Sequence, residues 1–265
     1  MEIKKSIKEI ICIGTSFTEG DGLNPKNDTH FAPKWYLDNK NIKVNMTEYC
    51  WPTLLGNLSN TKTINLGKSG SSIEYLIRNI EEILETKDCK DVLFILEYSS
   101  WGRSELWCTD YNQWIVANWG PTGGVDAKTY GYSVMLSTDY NFGQQLSPEY
   151  QSVYQLFLKT FFNEKEYLIQ RDRNFLNLLY KLETENISYQ VIMLENPFVV
   201  NLKEHRLFNY KEVLPDNLWG FVDKHQLTIT HETNGVVKNG HPSVSGHKYL
   251  ANLFYDKLTK KYSFG

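Results

Sequence analysis

The sequence has no excess of charge of either sign: 28 Lys and Arg stand against 31 Asp and Glu, for a net charge of −3. That removes the basic footprint of a nucleic-acid binder and the acidic tail of a charged interaction segment. No apolar run approaches the ~18–20 residues of a membrane span, so a membrane is not an expected partner. The opening stretch, MEIKKSIKEIICIG, has lysines and a short apolar run. That run is too short for the core of a signal peptide, and no small-residue cleavage site follows it. The chain therefore reads as soluble and made in the cytoplasm, leaving a cell by lysis or as part of a particle if at all. The four cysteines, Cys12, Cys50, Cys89 and Cys108, match no paired zinc spacing. No metal and no cofactor is expected, and Cys12, inside the first apolar run, reads as a buried free thiol. There is no internal repeat or low-complexity tract, and nothing specifies an oligomeric state.

What is present is the pattern of an α/β protein. The length of 265 residues and apolar content of 41% suffice for a real core. Glu9 to Ile13 reads as a strand, Trp51 to Leu58 as a helix, and Lys62 to Gly67 as a short strand. Ser72 to Glu85 is the clearest amphipathic helix, with Ile73, Leu76, Ile77, Ile80 and Ile83 on one face and Ser71 or Ser72 as its cap. Asp91 to Ser99 opens on a continuous apolar run, the mark of a strand buried on both faces. Such alternation predicts a parallel sheet covered by helices on both sides, a three-layer α/β/α sandwich. Residues 147–186 read as helical with one break, with Arg171 and Arg173 on a solvated face. Ser188 to Glu195 reads as a buried strand, His225 to Thr230 as a short fifth strand, and Ser243 to Tyr262 as a closing helix. Residues 101–147 break the pattern and read as a long irregular insertion within a single domain spanning 1–265. Of the 7 Trp, 17 Tyr and 13 Phe, many cluster between Tyr98 and Tyr154, which suggests a surface for stacking on a ligand.

Open parallel sheets bind ligands at the carboxyl ends of their strands. The first strand ends in Gly14, Thr15 and Ser16, the second in Gly67, Ser69 and Gly70, and the third in Ser99 and Ser100, with Arg103 beyond. Asn239, Gly240, His241 and Pro242 precede the last helix. Serine and histidine are thus offered to one edge from opposite ends of the chain. A serine hydroxyl becomes a nucleophile when a base takes its proton, and a histidine suits that task near neutral pH.

In order and spacing these stretches resemble the SGNH hydrolase superfamily, the GDSL-type esterases, over about residues 9–258. GTSFT is similar to the first family motif with Thr15 in place of Asp, which implies Ser16 as nucleophile. NLGKSGSS resembles the second, which implies Gly70 as an oxyanion donor beside the Ser16 N–H. GHPSVSGHKYLA resembles the last, which implies His241 as the base. Two departures stand out. The third motif lacks its usual Asn and runs instead into EYSSWGRSE, which looks like a divergent branch found in phage and viral proteins. There Ser100 would donate a hydroxyl to the oxyanion, while Thr15, Ser99, Trp101 and Arg103 would contact substrate. Asn239 stands where an Asp is usual, and would hold the His241 tautomer as Asn does in papain-like triads. The flavodoxin-like parallel sheet of that fold is implied, with the aromatic insertion after its third strand.

The expected function is a serine ester hydrolase removing an O-acyl group, acetyl above all, from a small-molecule or glycan ester, because Trp and Tyr stack on sugar faces. The competing expectation, from the two departures, is a weak or inactive member with a glycan-binding or structural role in a virion. A nucleotide binder is set aside because the first loop lacks a glycine-rich phosphate pattern. His247, nearly two turns beyond His241, is expected to pack within its helix.

Overall fold

The computed structural model describes residues 4–21, 23, 46–99, 102–121, 132–137, 146–194, 213–214, 217–232 and 236–265. Its centre is a sheet of four parallel strands: β2 (Glu9–Ile13), β3 (Lys62–Asn65), β4 (Val92–Tyr98) and β8 (Ser188–Met193), in the order β3-β2-β4-β8. A short β1 (Lys5–Ile7) precedes it and pairs in parallel with β11 (Tyr262–Phe264) at the other end of the chain. The closing helix, expected to run to Tyr262, stops at Leu258 so that Tyr262 can join this pair.

Side-chain alternation along the strands explains the three layers. Ile11 and Ile13 of β2 and Phe94 and Leu96 of β4 face one side. They meet Ile73, Leu76 and Ile80 of α3 (Ile73–Thr86) and Phe175, Leu178, Leu179 and Leu182 of α5 (Glu164–Thr184). Ile10, Cys12, Leu93 and Ile95 face the other side. They meet Trp51 and Leu55 of α2 (Trp51–Ser59), Leu218, Phe221 and Val222 of α6 (Leu218–Lys224), and Leu250, Ala251, Phe254 and Leu258 of α7 (Val244–Leu258). Burial on both faces is why β2 and β4 read as unbroken apolar runs. Cys12 is fully buried, and all four cysteines are free thiols.

After β4 the chain leaves the main sheet. β5 (Arg103–Cys108), β6 (Gln113–Pro121) and β7 (Tyr132–Ser137) form an antiparallel meander. The described residues of the irregular insertion expected over 101–147 are thus largely sheet. One face of the meander carries Ile115, Ala117 and Leu136 against Leu158 of α4 (Pro148–Phe161). The other meets α3, where Arg78 Nη2 lies 3.1 Å from Glu105 Oε1 and Arg78 Nε 3.3 Å from Glu105 Oε2. The break in the long helical stretch falls at Phe162 and Asn163, and the Asn163 side chain caps α5. Arg171 is buried, not solvated: it pairs with buried Asp172 at 3.2 Å and lies 4.9 Å over the Tyr98 ring. Arg173 is exposed as expected. The expected fifth strand forms as β9 (Thr228–Glu232), outside the main sheet and antiparallel to β10 (Val236–Pro242). Among the described residues no helix is long and apolar enough to cross a membrane.

Candidate active site

From β2 the chain crosses to β3 on one side, and then to β4 on the other. Strand order therefore reverses at β2, and its carboxyl end is the crevice where ligands bind in open α/β sheets. There α1 (Ser16–Glu19) begins. Its turn is closed by Thr18 N donating to Thr15 O at 3.0 Å and Gly20 N to Ser16 O at 2.9 Å.

His241 arrives at the same place on β10. The ladder with β9 is regular at Val236, Val237 and Lys238, then shifts before Pro242 pairs with Thr228. Four residues on β10 thus span the distance of two on β9, a bulge that re-aims the residues between. Ser243 follows at once and stops the strand: its Oγ accepts from Gly246 N at 3.1 Å and caps α7. The result is a contact of 2.8 Å between His241 Nε2 and Ser16 Oγ, across 225 residues of sequence. The imidazole also packs on Phe17, with ring centroids 5.0 Å apart, and Phe17 in turn on Trp219 at 5.8 Å. Ser16 is 3% exposed. With Nε2 accepting, the ring proton sits on Nδ1 and the pair is set for proton transfer from serine.

The loop after β3 is stitched to this turn. Lys68 N and Ser71 Oγ both donate to Gly14 O, at 2.8 and 2.9 Å. Ser69 N donates to Glu19 Oε2 at 2.6 Å, and Ser69 Oγ to Asp21 Oδ2 at 2.9 Å. Asn65 Nδ2 donates to Thr18 O at 2.9 Å while its Oδ1 accepts from Gly67 N at 2.9 Å. Gly67 lies so near α1 that a Cβ would stand 2.4 Å from Glu19 N. Gly70 is buried with φ of 78°.

Ser99 is buried at the end of β4, its Oγ without a hydrogen-bond partner among the described residues. Arg103 opens β5, close enough that its charge acts on Glu97. Thr15 is fully buried and turned away from solvent. Ser100, Trp101 and the Asn239 side chain lie outside the described residues.

One residue that the sequence did not single out matters here, and another does more than expected. Glu97 interrupts the apolar run of β4, is 1% exposed, and accepts from the Thr15 and Thr18 hydroxyls. Burial pushes its carboxyl above the usual carboxylate range, against those hydrogen bonds and the Arg103 charge. A lone carboxylate at the end of a strand buried on both faces was the available signal. His247, fully buried within α7 as expected, does more than pack: its Nδ1 accepts from Trp51 N at 3.0 Å and so caps α2.

No protein-family model matches the chain, and no curated protein matches it. Solved structures similar to it include a lipolytic protein of the G-D-S-L family from Desulfitobacterium hafniense, 14% identical, covering 94% of this chain and 98% of its own, with a TM-score of 0.40. The psychrotrophic esterase EstA from Pseudoalteromonas sp. is 13% identical, with 96% and 97% coverage and a TM-score of 0.41. Axe2, an acetylxylan esterase from Geobacillus stearothermophilus, is 12% identical, with 97% and 96% coverage and a TM-score of 0.39. These likenesses run nearly the whole length of the chain at low identity and low superposition score, so the chemistry rests on Ser16, His241 and the groups around them.

Proposed function

We propose that this protein is a serine ester hydrolase of the SGNH kind, with Ser16 as nucleophile and His241 as base. The observation that carries this reading is the 2.8 Å contact between His241 Nε2 and Ser16 Oγ at the switch point of a parallel sheet. Ser16 Oγ attacks the acyl carbon as His241 Nε2 takes its proton, and the carbonyl electrons move onto oxygen. The tetrahedral species collapses, the alcohol leaves with the proton from His241, and water then hydrolyses the acyl-serine by the same steps.

The developing oxyanion needs donors placed in advance. The N–H of Ser16 belongs to the first residue of α1, where a helix leaves N–H groups without intrahelical partners. Gly70 N–H is the second proposed donor. For the third, the buried Ser99 hydroxyl is favoured over Ser100, because it directly follows β4 with no partner among the described residues. Asn239 is the proposed partner of the His241 ring.

The proposed substrate is an acetylated carbohydrate. Trp107, Tyr111 and Trp114 are exposed on β5, β6 and the turn between them. Trp107 stands four residues along β5 from Arg103, ~13 Å at the usual strand rise, a span suited to a short glycan. The Asn239 departure favours the second reading, a weak or inactive glycan binder, since an amide stabilises an imidazolium less than a carboxylate does. The test is hydrolysis of an aryl acetate by the wild type, Ser16→Ala and His241→Ala. A loss of about 10³-fold or more in both variants is expected. Equal rates in all three would refute the assignment.

A further inference from the structure

We propose that Glu97 is a positioning residue for the nucleophile: it grips the turn carrying Ser16 from both sides and leaves the Ser16 hydroxyl as the one directed at His241. This inference rests on the reading of Ser16 as nucleophile.

The geometry is specific. Thr15, Ser16 and Thr18 offer three hydroxyls within one turn. Thr15 Oγ1 donates to one Glu97 carboxylate oxygen and Thr18 Oγ1 to the other. Ser16, between them, contacts His241 instead. Thr15 occupies the N-cap position of α1, where a threonine hydroxyl ordinarily accepts from an N–H of the first turn. Here it makes no such cap bond, because the hydroxyl is turned to Glu97. The carboxylate thus takes a group that would otherwise compete for the N–H groups at the start of α1.

Room for the carboxylate is made by Gly14. A Cβ there would lie 2.5 Å from Glu97 Cβ, 2.5 Å from Thr18 Oγ1 and 2.6 Å from Glu97 Oε2. Gly14, Thr15, Thr18 and Glu97 are therefore one packed unit, in which Gly14 leaves the space that the carboxylate and the Thr18 hydroxyl occupy. A buried carboxylate costs free energy unless it is well bonded. This one lies directly beneath the turn that presents Ser16, and it orders that turn more tightly than a helix of four residues would order itself.

The experiment compares kcat and KM for p-nitrophenyl acetate, together with amide exchange, in the wild type, Glu97→Met, Thr18→Val and Thr18→Ser. Glu97→Met keeps the volume and removes both acceptors. A displaced nucleophile lowers kcat by about 100-fold, with KM changed little. Thr18→Val should lower kcat at least tenfold, and Thr18→Ser, which restores the hydroxyl, should recover it. In Glu97→Met the amides of Thr18, Glu19 and Gly20 should exchange at least tenfold faster, while those of Val191 and Ile192 in β8 stay protected. If Glu97→Met does not fold, the comparison of Thr18→Val with Thr18→Ser decides. A Thr18→Val enzyme as active as Thr18→Ser, or a Glu97→Met enzyme with wild-type kcat, overturns the inference. If the wild type itself hydrolyses no ester, the esterase reading fails, and amide exchange decides the positioning role: unchanged exchange at the Ser16 turn overturns it.

Discussion

Three side chains carry the proposed chemistry, and each is placed by a different physical cause. Ser16 is placed by the turn of α1, His241 by a bulge in β10, and Glu97 by a strand buried along its length beside the space that Gly14 leaves. The buried Glu97 carboxyl has a consequence for stability that can be measured. Because burial raises it, the native state still holds a proton that the unfolded chain has released once pH passes the ordinary glutamate value of ~4.3. Stabilisation from this group is complete below that value and is lost as pH rises through the raised one. We predict that the unfolding free energy of Glu97→Gln falls less steeply with pH across that window than that of the wild type. Buried Glu74, raised for the same reason, contributes equally to both proteins. Urea unfolding at a series of pH values is the measurement, and parallel slopes would contradict it. Ser16 and His241 were legible as residues, because strand-Gly-Thr-Ser and Gly-His-Pro are local patterns. Glu97 was not, because its role depends on Gly14 having no side chain, a fact of three dimensions.

Among the elements, the loop after β3 and the turn of α1 behave as one piece. Five hydrogen bonds between them and the close approach at Gly67 leave no room for a side chain. We predict that Gly67→Ala, whose methyl would meet the backbone of α1, lowers both the thermal midpoint and kcat. Loss of one without the other, by thermal melting and ester hydrolysis, would show that the two elements are not coupled. Ser243 is a simpler case: Ser243→Ala removes the cap of α7 and should cost about 1 kcal/mol in urea unfolding. A stability unchanged within error would contradict that. The strands of the main sheet were legible nearly to the residue, β2 and β4 because burial on both faces writes them as apolar runs. β9 was legible as a short strand, but β10 was not: Asn239 to Pro242 read only as the stretch before the last helix, whereas the chain there is a strand paired antiparallel with β9. β1 and β11 escaped because they are three residues each and pair with one another across the whole length of the chain.

For the molecule as a whole, the question is how the antiparallel meander is held to the α/β body. Arg78 of α3 makes the described ion pair across that boundary, with Glu105, whose side chain is 1% exposed. Its guanidinium also lies 5.3 Å over the Trp114 ring. Removing one partner of such a pair strands a buried charge. We predict that Arg78→Leu destabilises by about 3 kcal/mol, while Arg78→Leu with Glu105→Leu is less destabilised than either single variant. Additive losses in urea unfolding would contradict this. The meander was hidden in the sequence because its strands are rich in Gly, Trp, Tyr and Asn and lack a clean alternation of period two. What orders it is packing against α3 and α4 from outside. The central proposal is that Ser16 and His241 form a nucleophile and its base. The direct measurement is reaction with an aryl phosphonate followed by mass spectrometry of the digested protein. We predict a phosphonyl adduct on the peptide bearing Ser16, absent in Ser16→Ala and formed at least 100-fold more slowly in His241→Ala. An unmodified Ser16 under conditions that label a serine esterase, or labelling that does not depend on His241, would contradict it.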